Sequence, residues 1–593
     1  MQFIFDGSHM AERANGLGRR EEISSWLHGG DLVAQQLKVE GIDRLFVLTG
    51  GHISPIFDGA FYQGLALVDF RHEQSAAHAA DAYARLTRRP AIAAVTAGPG
   101  FTCALTGLAN AFYSQSPLVL LAGRNPLATD GAGNLQDAPQ LELARPLTKF
   151  AQTAYAADRI PAIVNQAFAN ARAPRPGPVM IDFPIETLLT RVASADWSLP
   201  PSVPAPAYPD PSAVRTTARW LAASSNPALV VGSGAYMSGC GEALAAFVEQ
   251  ANVPVFMNGM GRGLLPARHP LARFGNRART LSQADWLLCL GVDFDFRMAF
   301  GQGLGTDEAK LIHVDPDATQ LARNRPVSLA VSADCKTFLE ALLDQAAVYG
   351  ARAILPAQAE RPRTWEGTGS DEPIDPRDFV RIVADYIDED AIVIGDGGDI
   401  VALFAAYHRS QRPGSWMDPG PFGCLGIGPA FAIAARLAHP TRQVLVVSGD
   451  GAFGFNAMEL DSAVRQKLPF VVVIGNDRAW GEMRTFHEDI FGEHDPRAQY
   501  LGSNARYDLL AQALGGHGER VTRLRDLRPA LVRAFASGLP AVVDVQLDPS
   551  FRRPTETISG KHVAAAFGGG DPLAFRRGPS APPVVHRGTR EKR

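Results

Sequence analysis

A chain of 593 residues has room for three or four domains at ~150 residues each. Its 46% hydrophobic and 20% charged content is that of a soluble globular protein, and a net charge of −4 argues against a general nucleic-acid binder. No run of about 18 apolar residues occurs, so no membrane span is expected, and five widely spaced cysteines without a Cys-x-x-Cys fit a reduced, cytoplasmic protein.

Gly7-Ser8-His9-Met10 reads as an expression scar, so residues 1–10 carry no fold information, and no secretory signal follows. Strand and helix signals then alternate across a first unit at 25–195. Residues 45–48 form a strand ending in Thr49-Gly50-Gly51, and 65–68 form a second. Arg71-His72-Glu73-Gln74 precedes an Ala-rich helix reaching Ala84. Residues 91–95 form a strand ending in Thr96-Ala97-Gly98-Pro99-Gly100, which opens another helix, and 118–121 form the next strand. Repeated βα units of this size predict an α/β doubly wound parallel sheet. Pro-rich stretches at 200–211 and 356–376 read as linkers. Between them a middle unit, 205–350, has strands at 228–231, 287–290 and 311–314. Its Gly232-Ser233-Gly234 reads as a tight turn, since a lone Gly-x-Gly is weak evidence for a nucleotide.

A third unit, 375–550, starts with a strand at 391–394 that runs into Gly395-Asp396-Gly397-Gly398. Residues 423–428 open the next helix, and 444–447 form a buried strand leading to Gly449-Asp450-Gly451. A helix over 457–467, Pro469 and a second buried strand at 470–474 complete a βαβ unit, with Asn476-Asp477 beyond it. Ligands of open parallel sheets bind outside the carboxyl ends of strands. Glycines there admit a phosphate close to the backbone, and Asp450 with Asn476 offers hard oxygens suited to octahedral Mg²⁺. A phosphate-binding Walker loop would need Gly-Lys-Ser/Thr, which is missing.

Gly-Asp-Gly, 24 residues and then Asn476 resembles the thiamine diphosphate signature of the acetolactate synthase and decarboxylase superfamily. The segment from Arg71 to Arg85 is similar to the glutamate motif of the same enzymes. The resemblance covers roughly residues 25 to 550. It implies three α/β domains in the order pyrimidine-binding (PYR), middle and diphosphate-binding (PP). It implies Mg²⁺ held by Asp450, Asn476 and the carbonyl of Arg478, with Gly397, Gly398, Gly449, Gly451 and Ala452 near the diphosphate. Leu425 matches the residue that supports the bent cofactor, and the Gly423 carbonyl matches the acceptor for its 4′-amino group. Glu73 matches the carboxyl that hydrogen-bonds the pyrimidine ring and promotes ionisation at C2. Thr96 and Asn110 match the lining of the pyrimidine pocket, and Gln136 a substrate-side glutamine. Because Glu73 and Asp450 lie in different units, the resemblance implies a homodimer or homotetramer with sites shared between chains.

For the substrate, the whole looks most like a 2-hydroxyacyl-CoA lyase, which cleaves an acyl-CoA ester to an aldehyde or ketone plus formyl-CoA. The segment from Trp480 to His494 departs from the acetolactate synthase pattern, which is Gln-rich with a tryptophan there. Within it Glu493 is the candidate base for the substrate hydroxyl, with His494 and His487 behind it; a solvated acidic loop is the alternative. His52, beside Gly50-Gly51, could face the substrate. Residues 552–593 carry nine Lys or Arg against three acids. This 551–593 segment reads either as a solvated tail or as a basic lid meeting the phosphates of coenzyme A. A carboligase of 2-oxo acids, expected to bind FAD in the middle domain where a lyase would bind ADP or nothing, is one rival reading. A non-catalytic cofactor-binding regulatory homologue is the other.

Overall fold

The computed structural model describes residues 26–349, 366–491, 497–502 and 505–552. Among the described residues three six-stranded sheets, parallel throughout, form the cores of three domains, and a two-stranded antiparallel sheet pairs Trp26–His28 with Arg191–Ala193. The first holds β1 (Arg44–Val47), β2 (Ala66–Asp69), β3 (Ala91–Val95), β4 (Leu118–Arg124), β5 (Phe150–Thr153) and β6 (Val179–Pro184), in the order β2-β1-β3-β4-β6-β5. The middle sheet holds β7 (Pro227–Val231), β8 (Val255–Met257), β9 (Ala272–Arg273), β10 (Trp286–Leu290), β11 (Lys310–Asp315) and β12 (Leu329–Ser332), in the order β9-β8-β7-β10-β11-β12. The third holds β13 (Ile392–Asp396), β14 (Trp416–Met417), β15 (Val444–Gly449), β16 (Val471–Asn476), β17 (His517–Val521) and β18 (Ala541–Gln546). Its order, β14-β13-β15-β16-β18-β17, repeats that of the first sheet.

Strands such as β3, β10 and β16 are buried along their whole length, as expected where helices cover both faces of a parallel sheet. In the first and third sheets the strand order reverses between β1 and β3 and between β13 and β15. At such a switch point the two flanking connections leave on opposite faces, opening a crevice at the carboxyl ends. The glycine-rich turns read from the sequence sit at these two crevices.

The two outer domains pack on each other through small residues. Helix α1 (Glu73–Thr87) buries Ala76, Ala79, Ala80 and Ala84, and α3 (Gly428–Ala438) buries Ala430, Ala432, Ala434 and Ala435. Beside α1 lies α2 (Pro99–Tyr113), whose Gly107 lies so close to Ala77 that an added Cβ would come within 2.5 Å of the alanine's own. Within this contact Arg85 forms a buried ion pair with Asp81, donates to the Asp418 carbonyl and lies 5.2 Å from the Phe431 ring.

One element was not expected. The helix expected over 457–467 is α5 (Glu459–Arg465), and a separate, unexpected helix, α4 (Asp450–Asn456), precedes it. Two glycines in 450–456 make that segment read as a loop, but tertiary packing overrides propensity: Phe453 is fully buried and Gly451 lies against Trp480.

Candidate active site

The third-domain crevice is a cleft of about 520 Å³. Gly397, Gly398, Gly423, Leu425, Gly449, Asp450, Gly451 and Ala452 all line it. Asn476 ends β16 between two further lining residues, Gly475 and Asp477. At Gly449 and Gly423 an added Cβ would meet nothing within 4 Å, so at these positions the bare backbone faces open space. Gly397 adopts φ 138°, a region that favours glycine, and packs against the Gly449 N–H edge.

Asp396, just before these glycines, is buried and fixes the loop opposite. Its two carboxylate oxygens accept the Gly426 N–H at 2.9 Å and the Gly428 N–H at 2.8 Å, which sets Leu425 at the cleft wall. Burial pushes its carboxyl up to about 6, against the pull of those donors.

The electrostatics at the end of β16 call for a cation. Asp450 is 3% exposed, and burial together with neighbouring Asp477 pushes its carboxyl up to about 8. Asp544 on β18 is also buried, and one of its oxygens has no hydrogen-bond partner. Asn476 donates to Asp544 Oδ1 at 2.9 Å, which turns the amide oxygen away from the acid. That oxygen accepts the Arg478 N–H at 3.1 Å, and Arg478 folds back with φ 62°. The Arg478 carbonyl accepts the Leu501 N–H at 2.9 Å and keeps its second lone pair. A carboxylate, an amide oxygen and a peptide carbonyl, set among excess negative charge, are the donors a hard divalent cation takes. The residues therefore fit Mg²⁺ and a diphosphate.

The first-domain crevice gathers a second set. Glu73 opens α1, with His72 as its N-cap. Gly100 brings the chain so near that an added Cβ would lie 3.4 Å from Glu73 Oε1 and 2.7 Å from Thr96 Cγ2. Gly50 abuts Thr96 in the same way, and Gly98 abuts the backbone of Gln136. His52 follows Gly50-Gly51, with Nε2 3.0 Å from Asn125 Oδ1 and a buried Nδ1 that has no partner. Asn110 sits apart from this group: it is fully buried and donates to Asp81 Oδ2 at 2.9 Å. Glu493 and His494 lie outside the described residues, as does the tail beyond 552. Within one chain none of Glu73, Thr96, Asn110 and Gln136 lines the third-domain cleft.

Sequence reasoning missed Asp544, Asp396 and the apolar wall built by Leu403, Met483 and Leu547 with Phe296 from the middle domain. The signal for Asp544 was present: an acid inside the apolar run 541–545 marks a buried strand position that needs a partner.

Comparison with known proteins agrees with this arrangement. The N-terminal TPP binding domain of thiamine pyrophosphate enzymes matches residues 27–143, the central domain 214–342 and the C-terminal TPP binding domain 396–545. Acetolactate synthase large subunit IlvG of Mycobacterium tuberculosis is 39% identical over 89% of this chain and 97% of its own. The 2-hydroxyacyl-CoA lyase 2 of Caenorhabditis elegans is 33% identical over 83% and 84%, and that of Homo sapiens 32% over 84% and 85%. Among solved structures, the thiamine diphosphate-dependent 4-hydroxybenzoylformate decarboxylase of Rhodococcus jostii RHA1 superposes with a TM-score of 0.78 at 25% identity, covering 88% of this chain and 100% of that one. With thiamine-binding domains at both ends, a central domain between them and full-length relatives at this identity, the chain belongs to the thiamine pyrophosphate enzyme family.

Proposed function

We propose that the chain is a thiamine diphosphate- and Mg²⁺-dependent carbon–carbon lyase that splits a 2-hydroxyacyl-CoA into an aldehyde or ketone and formyl-CoA. The observation that carries the catalytic reading is the division of the site. Asp450 and the glycines proposed for the diphosphate line one crevice, while Glu73, Thr96 and Gln136 gather about other turns, and none of these three lines that crevice. A homodimer or homotetramer that faces one crevice with its partner's complement completes each site.

Bound thiamine diphosphate supplies an electron sink for the breaking C–C bond. The chain's own groups do the rest. Asp450, Asn476 and the Arg478 carbonyl hold Mg²⁺, and the glycines at 397, 398, 449 and 451 let the diphosphate reach the backbone. Leu425 and the Gly423 carbonyl fix the bend of the cofactor. Glu73 holds a proton at the pyrimidine nitrogen, and Gln136 and His52 face the substrate. The substrate hydroxyl gives up its proton to a base, for which Glu493 is the candidate. The departing formyl carbon takes a proton back, so the products balance.

The lyases at 32–33% identity support this substrate class, as does α6 (Gly481–Phe491), which carries Thr485-Phe486-His487 where the synthase pattern differs. A second cleft of about 560 Å³ lies by the carboxyl ends of β10 and β11, with Phe294, Phe296 and Phe300 beside Arg175, Asp317 and Arg323. Aromatic faces, a carboxylate and cations together suit ADP. Five unpaired cysteines fit a cytoplasmic setting. Among the described residues no helix is long and apolar enough to cross a membrane.

The 39% identity to a protein named as a synthase favours the second reading, a carboligase of 2-oxo acids. Assay of the purified protein with a panel of 2-hydroxyacyl-CoA esters and with pyruvate separates them. Formyl-CoA release is expected. Acetolactate from pyruvate, without formyl-CoA, overturns the lyase reading.

A further inference from the structure

The turn that delivers Glu73 is held from outside its own domain. Arg71 and His72 link β2 to α1, and the Arg71 N–H points to Glu459, the first residue of α5 in the third domain, at 3.2 and 3.1 Å from its two oxygens. Glu459 is 1% exposed. It also accepts the Ser462 hydroxyl at 2.7 Å, and burial pushes its carboxyl up against the pull of the Ser462 hydroxyl and the Arg71 N–H. A buried carboxylate whose two oxygens share a backbone N–H of the turn holds that turn's position. The same face of α5 adds outer contacts: Asp461 lies 3.3 Å from Arg71, Arg465 2.6 Å from Asp69, and Gln466 beyond it donates to the Asp69 carbonyl at 2.9 Å. These pairs are partly exposed and hold less.

We infer that Glu459 is a positioning residue for Glu73: each chain's diphosphate-binding domain sets the orientation of the carboxyl that its own pyrimidine-binding domain presents. This rests on the reading of Glu73 given above. It has a structural consequence, because α5 follows α4, which begins at Asp450, after only two residues. One chain therefore ties the metal end of the site it serves with its third domain to the Glu73 it lends to another.

The test is Glu459→Gln in the full chain. The amide keeps the volume but turns an N–H₂ toward donors that need an acceptor. Amide hydrogen exchange of the cofactor-free protein, read on the peptide covering residues 69–76, should quicken by about tenfold or more, with β16 unchanged. In the loaded enzyme kcat should fall about tenfold or more at unchanged KM, as for a lost positioning contact. Should Glu459→Gln misfold, Ser462→Ala removes only the hydroxyl bond and should shift both readouts the same way by less. Wild-type exchange at 69–76, or quickened exchange spread evenly over the third domain, overturns the inference. Loss of turnover on Glu73→Gln, measured alongside, shows that such a failure belongs to Glu459 and not to the role of Glu73.

Discussion

Asp450, Asp477 and Asp544 crowd three neighbouring strands, with Arg484 3.0 Å from Asp477 and Arg520 acting on Asp544. Such a cluster is costly until a metal neutralises it. Asp544 does not line the cleft, yet it aims the Asn476 amide. Asp544→Ala should therefore weaken Mg²⁺ affinity by about 10–100-fold, as loss of such a supporting partner does, and a magnesium titration of cofactor binding reads this directly. Glu73→Gln should keep thiamine diphosphate but lose about 10²–10⁴-fold in turnover, the range for a lost proton-transfer group. Full activity would remove Glu73 from the chemistry. Residues whose chemistry is written in a short motif were legible without coordinates. Glu459 was not, and Asp544 showed only that it needs a partner, because each acts on a segment 388 or 68 positions away, and spacing in the sequence carries no record of which.

Among the elements, the loop of residues 423–428 shows how a turn is held by one side chain. Asp396→Ala would strand two buried N–H groups. The expected loss is about 2–4 kcal/mol, measured as a shift in denaturant midpoint, with weaker cofactor binding as Leu425 moves. At the other edge of the cleft Glu488 on α6 pairs with Arg552, which anchors the start of the basic tail. Truncation after residue 552 keeps this pair and should raise the KM for CoA esters; unchanged kinetics would end the lid reading. The buried β-branched runs at 444–447 and 470–474 announced themselves by composition, so the βαβ unit around Gly449 was legible, while the equally buried β6 and β18 were not read. Strands β5 and β17 were not, since their mixed, partly exposed residues at the sheet edges lack an apolar run. Asn110 matched a motif yet lies within the packing of α1 and α2, where it serves the Asp81–Arg85 pair.

Across the whole molecule, buried histidines give a pH response independent of catalysis. His313 donates from Nε2 to the Val292 carbonyl and accepts the Ala322 N–H at Nδ1, so only the neutral ring fits. Burial pushes it down to about 4. A folded value below the unfolded 6.5 means stability is present above pH 6.5 and is lost as pH falls toward 4. Between pH 7 and 5 this single group should cost about 2 kcal/mol. His313→Gln should flatten that part of the stability profile, and an unchanged slope would exclude it.

The larger expectation concerns how two chains share one site. Glu73→Gln and Asp450→Ala proteins, each inactive alone, should recover activity when unfolded together and refolded as mixed dimers. One site of each mixed dimer then combines an intact Glu73 with an intact Asp450, and random pairing gives about a quarter of wild-type turnover. No recovery in verified mixed dimers would place both groups in sites built from a single chain and contradict the account.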